Sequence, residues 1–76
     1  MDSKTSELLA GIQGLCRTIR DELGIYVTYT EHLHEGANEV VITINATETF
    51  GSPTLGSVEA VRDELVARVV KMREAA

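Results

Sequence analysis

The sequence predicts a two-layer α+β sandwich in the order helix, strand, strand, short strand, helix, with an antiparallel sheet carrying both helices on one face. Two observations predict it. Apolar residues recur at spacings of three and four near the start and the end of the chain, and strict alternation fills the stretch between them. The 76 residues are enough for one domain, spanning 1–76, and too few for a second.

In the first periodic stretch, Leu8, Ile12, Leu15, Cys16, Ile19 and Leu23 fall on one helical face. Ser3, Thr5 or Ser6 is placed to cap its start, and Gly24 follows its last apolar position as a left-handed stop. The expected helix covers about residues 4–23. Gly11 and Gly14 lie inside it at a cost of about 1 kcal/mol each. That cost implies either a closely packed neighbouring backbone or a break into two shorter helices.

Residues from Ile25 onward are rich in β-branched and aromatic types, which predicts a strand over about 25–32. Ile25, Val27 and Tyr29 would face the core, and Tyr26, Thr28 and Thr30 the other side. His34-Glu35-Gly36-Ala37-Asn38 has turn composition. A second strand is expected over about 39–48, with Val40, Ile42, Ile44 and Ala46 inward. Thr49-Phe50 suggests a short third strand, and Gly51-Ser52-Pro53 a turn. The last helix is expected over about 57–74, capped by Ser57, with Glu59 in its first turn and Val58, Val61, Leu65, Val69 and Met72 inward.

Nothing in this order covers the second face of the sheet. Tyr26, Thr28, Thr30, Val41, Thr43 and Asn45 lie on it and form the expected partner-binding surface. Val66 and Val70 widen the apolar side of the last helix and join that expectation as a self-association seam.

Composition narrows the partners. Seven Lys and Arg stand against twelve Asp and Glu, a formal charge of −5. An acidic chain with scattered cations is poorly suited to a phosphate backbone and better suited to a basic protein surface. A chain this short buries only about 60% of its unfolded surface, so a lone core is marginal. Cys16 is the single cysteine and no zinc-binding quartet is present, so neither a disulfide nor structural zinc supports the core. A homodimer is the expected support, with a protein partner alongside. The N-terminal sequence lacks the basic and apolar segments of a secretory signal, and no apolar run approaches the roughly 20 residues of a membrane span. These features point to the cytoplasm and away from a membrane. Arginine outnumbers lysine, and Ala and Val are frequent, as suits a GC-rich bacterial or phage genome and a small regulator encoded there.

Catalytic and cofactor motifs are absent: no P-loop, nucleophile elbow or HExxH occurs. No cofactor is expected and the protein is read as a non-enzyme. Cys16 falls on an apolar stripe, where a free cysteine behaves as a small hydrophobe. His32 and His34, at alternate strand positions, are the one arrangement resembling a metal site, and a third ligand would have to come from Glu31, Glu35 or Glu39.

Two RNA-binding families share features with the chain. Leu8-Leu9-Ala10-Gly11-Ile12-Gln13-Gly14, Ile19-Arg20-Asp21-Glu22-Leu23-Gly24, Val27, Glu35-Gly36 and Val41-Ile42-Thr43-Ile44 resemble a KH domain over residues 8–46. The resemblance implies a backbone-clamping loop at Gly11, Ile12, Gln13 and Gly14, assisted by Arg17 and Arg20. The element order, with Glu35-Gly36 in the hairpin and Gly56-Ser57 opening the last helix, resembles a double-stranded-RNA-binding domain. Val58 and Glu59 stand where that family places lysines. A degenerate member turned to protein contacts fits both resemblances, and so does an unrelated protein of the same helix-strand-strand-helix order.

Overall fold

The computed structural model describes residues 3–75. Its elements are α1 (Ser3–Asp21), β1 (Val27–His34), β2 (Ala37–Ile44), β3 (Glu48–Gly51), α2 (Ser52–Leu55) and α3 (Val58–Ala75). The strands form one antiparallel sheet in the order β1-β2-β3. Alternation of the central strand decides its layering: Val40, Ile42 and Ile44 are buried at 2% exposure or less. Ile42 pairs with Tyr29 on one side and Phe50 on the other. Against this row pack Leu9, Ile12, Cys16 and Ile19 of α1 and Val61, Leu65 and Val69 of α3. Both long helices therefore cover the same sheet face, as the sequence predicts.

The long helices run side by side in the same direction. Lys4 pairs with Glu59 near their starts, and Arg73 pairs with Glu22 near their ends. Gly24, at φ +65°, ends the α1 turn and lets the Ile25 N–H reach the Ile19 carbonyl at 3.1 Å. Glu35 and Gly36, both at positive φ, make the two-residue link between β1 and β2 that matches strand twist. Ser57 caps α3 as expected, its hydroxyl accepting the Ala60 N–H at 3.1 Å.

Several expectations need correction. Leu9 is buried where Leu8 was expected, and Leu8 is half-buried. Thr5 and Ser6 lie inside α1. Gly11 and Gly14 neither break α1 nor admit a close neighbour, since a Cβ at either position would meet nothing within 4 Å. The second strand ends at Ile44, so Ala46 is not an inward strand residue. Asn45 (φ +55°) and Ala46 (φ +62°) turn the chain, closed by the Thr47 N–H on the Ile44 carbonyl at 3.2 Å. Pro53 occupies the first turn of α2 instead of a simple bend, its fixed φ suiting a helix start.

The last residue of β3, Gly51, is a glycine for a steric reason. A Cβ there would stand 2.5 Å from the Val40 carbonyl oxygen and 3.1 Å from the Val41 Cα, so only glycine lets the chain cross β2 this closely. Ser52 then replaces the next ladder bond: its hydroxyl accepts the Val40 N–H at 3.0 Å.

Two substitutions test these backbone constraints. Gly51→Ala should cost about 1–3 kcal/mol, because backbone rather than a flexible side chain must yield. Ala46→Gly should raise stability by up to about 1 kcal/mol by relieving the left-handed position. Urea unfolding measures both.

Candidate functional site

The sheet face opposite the helices is built by register. Thr28, Thr43 and Thr49 lie side by side across all three strands, and Thr30, Val41 and Gly51 form the next row. The Thr43 and Thr49 hydroxyls are 3.2 Å apart. His32 and Glu39, opposite each other one row further, approach to 3.5 Å. Neither long helix lies over these rows, because both pack on the other side. β-branched side chains with short polar tips thus form a low-relief surface that has polar groups but no charge at its centre.

The expected partner-binding residues divide into two places. Thr28, Thr30, Val41 and Thr43 share the open face. Tyr26 and Asn45 extend it just outside the strands: the Asn45 N–H donates to the Tyr26 carbonyl at 2.7 Å, and the Tyr26 side chain is 64% exposed. Asn45 is a turn residue rather than a strand residue, for the backbone reason given above. Val66 and Val70 are exposed on α3 and belong to the helical layer, so they do not join the open face. Thr49 belongs to the surface but was not expected there, because its place depends on the turn at Asn45-Ala46, which alternation alone does not reveal.

The KH-like loop does not form. Gly11, Ile12, Gln13 and Gly14 are consecutive residues of one continuous helix, with Ile12 fully buried in the core. Arg17 and Arg20 are exposed on the same helix. His32 pairs with Glu39, and the His34 side chain lies outside the described residues. Among the described residues no three His, Cys, Asp or Glu side chains gather as metal ligands. No helix among them is long and apolar enough to cross a membrane.

Two titratable groups respond to the core. Burial pushes the Cys16 thiol up, partly countered by the nearby Arg20 charge, so the thiolate is disfavoured where only 1% of the residue is exposed. Burial also lifts Tyr29, to about 12. A Gln13 side-chain hydrogen bond works against the rise, while the neighbouring Glu31 adds to it, accepting the Tyr29 hydroxyl at 2.8 Å. At the far edge Arg68 lies over the Phe50 ring, 4.4 Å from its centroid, and donates to Glu48 at 2.7 Å. A charged residue thereby covers the one Phe side chain where α3 meets β3.

Comparison with known proteins finds no matching family model, no significantly similar curated protein and no significantly similar solved structure. The local chemistry therefore carries the functional argument.

Tyr29 supplies a pH test. A folded value above the ordinary 10 gives stability that is complete below the unfolded value and lost as pH climbs through the folded one. Stability should fall between about pH 10 and about 12, and fall less in Tyr29→Phe. Ultraviolet tyrosinate absorbance should lose its step near 12 in that variant.

Proposed function

We propose that the protein is a small, non-catalytic interaction protein that self-associates and docks a protein partner on its uncovered sheet face. One observation carries the reading: both long helices lie on one side of a three-stranded sheet, leaving the threonine rows without a covering layer. A sheet face that neither long helix covers is a ready surface for another chain. Its centre suits an interface, because hydroxyl and methyl groups are cheaper to desolvate than charges. The overall charge of −5 favours a partner with a basic rim. Cys16 supports the non-catalytic part of the reading, since the one thiol is sealed in the core. A cytoplasmic regulator or adaptor is the setting that fits this description.

Paired substitution tests the docking face. Thr28→Lys with Thr43→Lys places two cations at the centre of the surface without touching the core. Capture from the native host by the immobilised protein should retain a partner on the wild type and lose it on the double variant. Equal capture by both, with both folded by circular dichroism, would assign docking to another surface.

A further inference from the structure

The two edges of the sheet are unlike. β3 offers only four residues before Pro53 opens α2. β1 offers eight residues, with no proline and no lysine and, among the described residues, no strand beyond it. Natural sheets usually shorten, charge or cover such an edge.

The ladder phase fixes which groups β1 presents. In an antiparallel pair, alternate residues turn both N–H and C=O toward the same neighbour. The Asn45-to-Tyr26 bond and the bond from the Val40 N–H to Ser52 set that phase. Thr28, Thr30 and His32 therefore bond to β2, whereas the backbone groups of Val27, Tyr29, Glu31 and Leu33 point outward. The outward amides of Val27, Tyr29 and Glu31 bond to no other part of the described chain.

We infer that the outer edge of β1 pairs antiparallel with β1 of a second copy of this chain, about a two-fold axis at Thr30. The inference rests on the self-association proposed above and names its surface. Among neighbouring registers, this one sets Tyr29 opposite the partner's Glu31 and Val27 opposite the partner's Leu33, and engages all four outward residues. A shift toward the hairpin turn would set Glu31 against the partner's Glu31, where like charges repel. A shift the other way would leave Leu33 opposite Ile25, outside β1.

Charge complementarity selects a second copy as the occupant. The Gln13 side chain lies beside Tyr29, so this side of α1 borders the edge; Arg17 and Arg20 continue the same helical side at i+4 and i+7. α1 runs opposite to β1, which puts both arginines toward the Val27 end, while Glu31 and Glu35 lie toward the hairpin end. Antiparallel pairing brings the cationic end of each copy to the acidic end of the other, twice by symmetry. Arg17 and Arg20 make no ion pair within the described chain.

Light scattering across a dilution series should give twice the 8.3 kDa chain mass. Glu31→Pro removes one outward N–H and no bond to β2, so it should return a folded monomer. Thr30→Cys should form a disulfide-linked dimer on mild oxidation, since facing non-hydrogen-bonded residues have Cα atoms about 4.5 Å apart. Thr28→Cys should not, because its copies stand roughly 13 Å apart at this register. A monomeric wild type overturns the inference. So does a dimer that survives Glu31→Pro, or one that Thr30→Cys does not link. Should Glu31→Pro unfold, the two cysteine variants still decide. Partner capture by the threonine face is read separately, so either proposal can fail while the other stands.

Discussion

The period-two alternation of the central strand governs this small fold. Val40, Ile42 and Ile44 give β2 an apolar side, and every other core element takes its position from that row. A slip of one residue would send these side chains to solvent and bring Val41 and Thr43 inward, so register and core are a single constraint. Tyr29 and Phe50 flank Ile42 at the centre, and the two parallel helices close over the row from one direction. Having two layers rather than three follows from this arrangement: the described residues hold no third long helix for the opposite face.

Much of this was legible because the signals are periodic. The spacing of Ile12, Cys16 and Ile19, and of Val61, Leu65 and Val69, identifies both long helices and their buried sides. Threonines at Thr28 and Thr43 mark the open face for the same reason. The unread features depend on single contacts between residues distant in sequence. Gly51 is required by its approach to the Val40 carbonyl, and Ser52 is placed by the Val40 N–H. Neither leaves a local pattern. Ala46 in a left-handed turn contradicts local preference outright, and the neighbouring Asn45, which tolerates that conformation, is the one hint of it. Gly11 and Gly14 mislead in the opposite sense: they suggest a loop where the helix continues, held by the core contacts of Ile12 and Cys16.

The placement of chemistry follows from the same packing. Cys16 sits under Arg20 in the core, and Tyr29 is held between Gln13 and Glu31 at the border of the sheet. These polar contacts lie at the margins of the apolar row, where α1 meets β1. Arg68 has a similar role at the other margin, spreading its guanidinium over Phe50 and anchoring to Glu48. A few long side chains thus seal a core that so short a chain cannot wrap completely.

The difference between the sheet's edges bears on how far assembly proceeds. A strand able to accept neighbours on both sides has a valence of two and can be extended without limit, as in fibrils. Here the third strand is only four residues long before Pro53 opens the short helix, so that edge offers half the line that β1 does. A short edge gives a further strand few backbone groups to pair with, so the early end of β3 works against extension of the sheet from that side.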